Sequence, residues 1–345
     1  MNDDKSNEKT FGFVDVDITS IIPEPRIECW EWCNNNNALC LFQSTTAFDE
    51  IKYDEDNKPY PAWQDDLEPR FPDLDEMYSD LTAIRPMMEW VVSTDTAQAT
   101  GKEFDEPIKL NHYLTGISTT YSADTAEYRL AKFKAEFEEH FILNAMLYYY
   151  IFTELFLMID SRAKNMFLTT FDGQHWFPIP YDMDTAMGIN NEGALVFDYN
   201  LEDTEQVDGS DVYNGQQSVL WINVRQCYVS EIRNLYKELR SNNTNPFSFD
   251  AFSEKINSHQ EAWPEMCWNF DAQFKYLDVF EKGTNNLAML QGNKRAQRDW
   301  WLYNAFKYRD SKYQAGDAAA SSIHLRLYEH GEIKIVPYSH IYARV

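Results

Sequence analysis

The sequence predicts an α+β fold, mostly helical, with a short β-hairpin set beside a group of carboxylates. Apolar residues recur at helical spacing, as in Leu81, Ile84, Met88 and Val91 and again in Leu130, Phe133, Phe137 and Phe141. Two stretches alternate about tight-turn chemistry: one around Asp172 and Gly173, the other around His330 and Gly331. A hydrophobic content of 44% against 25% charged residues is that of a packed chain, so disorder throughout is excluded.

Taken in order, residues 1–25 read as a polar lead-in with one short strand at 11–16, stopped by Pro23 and Pro25. Residues 26–75 read as irregular, because asparagines fill 34–37 and Pro59, Pro61, Pro69 and Pro72 punctuate the rest. Residues 76–345 form the helical body. Its first helix begins near Asp75. A second is capped by Asp124 or Thr125, and a third, capped by Asn144, is buried and runs to about Ile159. A hairpin comes next, with strands at 166–170 and 175–180. Long helices are expected over 218–241, 249–280 and 295–315, and a second hairpin over 323–336.

Composition removes several function classes. The chain of 345 residues has a formal net charge of −26, of which residues 1–110 carry −16. Phosphate backbones need clustered Lys and Arg, so a nucleic-acid partner is not expected. The five cysteines are an odd number in a long chain and include no C-x-x-C pair. A disulfide scaffold is therefore excluded, and reduced thiols are the better reading of Cys29, Cys33 and Cys40. No apolar leader opens the sequence. The most apolar run, 146–159, has 14 residues with Glu154 inside it, short of the roughly 18 needed to cross a bilayer. No membrane partner is expected, and the location is read as cytoplasmic or virion-borne.

The informative chemistry surrounds the first hairpin. Asp160 and Asn165 stand just before its first strand, and Asp182 and Asp184 just after its second. An antiparallel hairpin brings its open ends together, with strands about 4.8 Å apart. Three carboxylates and an amide thus collect at one end of one small element. Mg²⁺ takes oxygen ligands of this kind together with substrate phosphates. Phosphoryl transfer also needs a carboxylate to accept or orient the nucleophile's proton. Protein kinases show the same five-residue step from catalytic aspartate to metal-binding asparagine. On that reading Asp160 is the base, Asn165 and Asp182 hold metal with Asp184 assisting, and Arg162 or Lys164 offsets phosphate charge. The competing reading is local: a five-residue step is common, and Asp182 and Asp184 can be turn residues that cap the segment after the hairpin.

The run from Phe152 through Asp160, Asn165 and Gly173, then Trp176 and the segment Tyr181 to Gly193 with its D-x-D, resembles the CotH (spore coat protein H) kinase family. The likeness is to the long variants carried by virion proteins of phages of gut bacteria. It is specific over 145–193 and extends in style over 26–330. It implies an atypical protein-kinase-like large lobe, with ATP and Mg²⁺ as cofactors and a protein Ser/Thr acceptor as partner. It implies Asp160 as catalytic aspartate, Asn165 and Asp182 as metal ligands, and Asp184 as the second carboxylate. The alternative is a structural virion protein that uses the lobe as a scaffold alongside other virion proteins. No G-x-G-x-x-G is present, and the phosphate-binding lysine is sought among Lys52, Lys58, Lys102 and Lys109. Only some 28 residues precede Cys29, where the family has its small lobe, so a piece of a longer polypeptide or a degenerate small lobe is expected.

Other residues carry blander expectations. His140 reads as a satisfied histidine, Tyr148, Tyr149 and Tyr150 as core packing, and Trp300 and Trp301 as helix packing. The acidic stretch 202–211 reads as an insertion where a basic substrate could dock.

Overall fold

A computed structural model describes residues 26–32, 48–65, 67–72, 80–158, 161–162, 165–183, 185–189, 197–201, 218–241, 247–261, 294–315, 324–329 and 332–337. The expected strand at 11–16, the acidic stretch 202–211, and Cys33, Cys40 and Cys267 lie outside these. The chain divides into two compact units. One comprises Met1–Tyr150, Asp160–Met183 and Gln206–Val229; the other comprises Ile151–Ile159, Asp184–Glu205 and Ser230–Val345.

The first unit is built on a four-stranded antiparallel sheet in the order β4-β1-β7-β8. Its strands are β1 (Glu28–Trp32), β4 (Leu67–Phe71), β7 (Met166–Thr170) and β8 (Trp176–Pro180). Two smaller hairpins pair β2 (Ile51–Tyr53) with β3 (Pro59–Pro61), and β5 (Glu103–Asn111) with β6 (Ser118–Ala123). The irregular reading of 26–75 is therefore corrected: four strands lie there, and β1 is an inner strand. Pro69 hid β4, yet it sits on an edge strand, where a missing N–H breaks no ladder bond on the outer side. β1 was hidden by charge. Glu28 and Glu31 are buried, made tolerable by local donors. Glu28 accepts from Arg26 Nε at 2.6 Å and Trp30 Nε1 at 3.0 Å, while Glu31 is paired with Arg70.

β7 is inner and fully buried, with Met166, Phe167 and Leu168 followed by the β-branched Thr169 and Thr170. One face of the sheet packs Cys29 and Phe167 beneath Ile27, Phe71, Ile179 and Tyr181. Burial pushes the Cys29 thiol up to about 12, so it stays a protonated core group rather than a reactive thiolate.

Helices α1 (Ile84–Ser93), α2 (Ala126–His140), the first part of α3 (Leu143–Leu155) and α4 (Val219–Cys227) complete this unit. α1 begins at Ile84 with a turn before it, and the expected helix start near Asp75 lies outside the described residues. Thr125 is the cap of α2, its side chain accepting from the Tyr128 N–H; Asp124 instead binds Thr100 and Arg129. The Phe133–Phe137–Phe141 face of α2 packs as its period predicts, with Phe137 also against Tyr228. Trp90 of α1 lies between Phe133 at 5.2 Å and His140 at 4.3 Å.

α3 starts one residue before Asn144, which therefore is not its cap, and it stops at Leu155 rather than near Ile159. The stop has a clear cause. The Leu157 N–H bonds Glu154 O at 3.4 Å and the Met158 N–H bonds Thr153 O at 2.9 Å, with Leu157 at φ +46. These bonds make a Schellman motif, which ordinarily announces itself with glycine. A buried leucine in that place gives no such signal.

The second unit holds the end of α3, α5 (Val229–Ser241), α6 (Phe249–Glu261), α7 (Lys294–Tyr313) and the hairpin β9 (His324–Glu329) with β10 (Glu332–Pro337). The single helix expected over 218–241 is two, broken at the buried Tyr228, where the chain leaves helical dihedrals. Trp301, Tyr303 and Phe306 of α7 are buried, while Trp300 is half-buried. Glu154 meets Lys312 at 3.0 Å and Arg309 at 3.3 Å, and Arg240 grips Asp310 through two nitrogens at 2.8 and 2.9 Å. Among the described residues no helix is long and apolar enough to cross a membrane.

Candidate active site

The hairpin β7–β8 fixes the site's frame. Its register pairs Met166 with Pro180 and Thr170 with Trp176. Asn165 and Tyr181 thus flank the last paired residues at the open end, and Asp182 comes directly after. At the closed end Asp172 accepts from the backbone N–H of Gln174 at 2.9 Å and of His175 at 2.8 Å, and Gly173 takes φ +75. A Cβ at Gly173 would lie 2.8 Å from Arg26 Cδ. The turn is therefore locked at the end remote from the carboxylates.

Asn165 and Asp182 share a conformation as well as a location. Their φ values are +52 and +49, the left-handed region that costs ordinary L-residues about 1–2 kcal/mol and that Asn and Asp adopt most readily. Asn165 is 5% exposed and Asp182 is half-buried. The left-handed backbone at these two residues turns the chain where it enters and leaves the hairpin.

The loop before the hairpin is anchored from behind. Tyr149 Oη donates to the Ser161 carbonyl, and Trp221 Nε1 donates to the Arg162 carbonyl at 2.7 Å. The two rings are stacked 5.7 Å apart. Burial raises the Tyr149 phenol well above its ordinary value, so it remains a donor. Ser161 Oγ lies 3.9 Å from Met183 Sδ, which ties the loop before the hairpin to the segment after it. Phe167 and Tyr181 stack at 4.7 Å, nearly parallel.

Of the residues expected from the sequence, Asn165 and Asp182 come to the same end of one hairpin. Arg162 is buried, with its guanidinium 4.2 Å above the Tyr150 ring and bonded to the Tyr150 carbonyl at 2.9 Å. Asp160, Lys164 and Asp184 lie outside the described residues. Among the described residues there is no group of three His, Cys, Asp or Glu side chains that could hold a metal ion. Of the lysines considered for a phosphate, Lys52 pairs with Asp65 at 2.5 Å and Lys58 with Asp56 at 3.2 Å; Lys102 and Lys109 are exposed.

Sequence reasoning missed the anchoring roles of Tyr149 and Trp221. Tyr149 and Tyr150 are buried as expected of core, whereas Tyr148 is half-exposed. The polar ends of Tyr149 and Trp221 gave no separate signal, since their partners are backbone carbonyls.

The hairpin belongs to a four-stranded sheet, aromatic anchors hold the loop before it, and Asn165 and Asp182 stand at its open end, in a protein of mixed helix and sheet. A family model described as CotH kinase protein matches residues 87–300, and the chain belongs to that family. The match spans α1 through the start of α7 and includes the whole hairpin. No curated protein and no solved structure matches the chain.

Proposed function

We propose that the chain is a CotH-type protein kinase that moves the terminal phosphoryl group of ATP to a Ser or Thr hydroxyl of a protein. The observation that supports this most is the pairing of Asn165 and Asp182, both in left-handed backbone, at the open end of the anchored hairpin. Their donor atoms are an amide oxygen and a carboxylate, the set that Mg²⁺ accepts. Asn165, Asp182 and Asp184 are the residues that would hold it, and the cation would supply charge neutralisation for the phosphates.

The remaining steps belong to the chain's own groups. Asp160, five residues ahead of Asn165, accepts the proton leaving the acceptor hydroxyl as that oxygen bonds to phosphorus. Tyr149 and Trp221 hold the backbone at residues 161–162, next in sequence to Asp160. Arg162, held over Tyr150, serves the same loop by packing and hydrogen bonding. Lys164 is then the cation available to a phosphate oxygen.

The test is transfer from γ-labelled ATP to a degenerate Ser/Thr peptide pool, run together with calorimetry of ATP binding with and without Mg²⁺. Asp160→Asn is expected to abolish transfer and leave ATP affinity within a few-fold. Asp182→Ala is expected to weaken Mg²⁺-dependent ATP binding itself. Equal loss of affinity in both variants would overturn the division of roles. A folded chain that binds no ATP in the presence of Mg²⁺ would leave the scaffold reading, in which a virion protein keeps the lobe for its shape.

A further inference from the structure

The β2–β3 hairpin offers one edge to a partner and closes the other. The Ala62 N–H bonds Glu50 O at 2.9 Å and the Asp54 N–H bonds Lys58 O at 3.0 Å, while Lys52 stands opposite Tyr60. Hydrogen-bonded pairs alternate along an antiparallel ladder, so residues 50, 52 and 54 turn their polar groups inward. Ile51 and Tyr53 therefore turn N–H and C=O away from β3. Their counterparts Pro61 and Pro59 do the same on the far side, but proline has no N–H to offer. The β3 edge is blocked and the β2 edge is not. Among the described residues no strand pairs with that edge, and Ile51 and Tyr53 are 53% and 63% exposed.

Side chains and charge specify the occupant. Ile51, Tyr53, Pro59 and Pro61 lie on one face of the ribbon as cross-strand pairs, an apolar strip. Lys52 is on the opposite face, bound to Asp65. The β2–β3 ribbon also carries Asp49, Glu50, Asp54, Glu55 and Asp56, with Glu50 and Asp54 on the Lys52 face; among the described residues, Asp49 pairs with Arg85 and Asp56 with Lys58, and the other three have no ion-pair partner. An uncovered edge with this much negative charge resists pairing with a second copy of itself and favours a cationic strand. We propose that the β2 edge takes up an extended segment of a partner protein, rich in lysine or arginine with apolar residues between them, as an added β-strand. The proposal stands whether or not the chain transfers phosphate.

The test uses fluorescence anisotropy with the full chain and a labelled nine-residue peptide alternating lysine and valine. Binding is expected at low salt and is expected to weaken as salt is raised. Tyr53→Pro removes an outward N–H without touching the β2–β3 ladder and is expected to weaken binding at least about fivefold, whereas Tyr53→Thr, which keeps the N–H, should weaken it less. A peptide N-methylated at alternate valines should bind poorly to the unaltered chain, which keeps the test independent of any folding defect. The proposal fails if Tyr53→Pro or the N-methylated peptide binds as well as its parent, if a glutamate–valine peptide binds equally, or if the lysine–valine peptide does not bind at low salt. Sedimentation showing a dimer that Tyr53→Pro dissolves would identify the occupant as a second copy and overturn it also.

Discussion

Asn165 is asked to do two things, and substitution separates them. Its φ of +52 favours Asn or Gly, while the proposed function asks its amide to bind a cation. Asn165→Ala should cost about 1–2 kcal/mol of stability through its backbone alone, and Asn165→Gly little by that route. On the proposed function, both should also weaken Mg²⁺-dependent ATP binding. Denaturant unfolding of the two variants checks the first statement; equal stabilities would show that the backbone is not strained there. His140 offers a second residue-scale expectation. Burial, with the positive field of Lys132 and the nearby His175, lowers its pKa to about 4. The unfolded chain takes up that proton near pH 6.5 and the folded chain does not. This contribution to stability is therefore whole above about pH 6.5 and is lost progressively as the pH falls toward 4. His140→Phe keeps an aromatic against Trp90 and should lose less stability between pH 7 and pH 5 than the unaltered chain. Parallel pH profiles from urea titrations would contradict this.

β1 shows how an element can be central and still hard to read. Its alternating Glu28, Trp30 and Cys29, Glu31 place a carboxylate on each face of an inner strand. Isolated, such a pattern argues against burial; with partners in place it is compatible with burial. Arg70, on the neighbouring strand β4, reaches Glu31 at 2.6 Å and Glu68 at 2.9 Å. Arg70→Met should cost about 3–5 kcal/mol, because it leaves the Glu31 carboxylate buried without its cation. Adding Glu31→Gln should recover a good part of that loss. A double-mutant cycle by denaturant unfolding checks it, and simple additivity would show that the two side chains act independently. α3 shows the reverse difficulty. Its apolar period runs past the end of the helix, because the residue that ends it, Leu157, is one whose type gives no warning.

Net charge governs the whole molecule. At −26, self-repulsion among exposed carboxylates opposes compactness at low ionic strength, and salt relieves it. Thermal unfolding should therefore move to higher temperature as sodium chloride is raised from about 20 mM to about 300 mM, where the Debye length falls below about 10 Å. A fall in the unfolding temperature over that range would mean that favourable ion pairs, such as Arg240 with Asp310, outweigh the repulsion. On the proposed function, the same charge predicts that ATP binds poorly without Mg²⁺.

The sequence by itself determined the elements whose signals are local: the hairpin about Asp172 and Gly173, the helix capped at Asp124 or Thr125, and the terminal hairpin. Each arises from period, turn chemistry or capping, which act over a few residues. Tertiary structure alone decided that β1 lies between β4 and β7, that Glu28 and Glu31 are buried, and that Tyr149 and Trp221 carry the loop behind Asn165. The reason is physical. Glu28 finds its donors two residues away in Arg26 and Trp30, but the Glu31 carboxylate and the Trp221 donor meet partners that are distant along the chain: Arg70 stands 39 residues from Glu31, and Trp221 stands 59 from Arg162. Neither distance leaves a trace in the local pattern of residues.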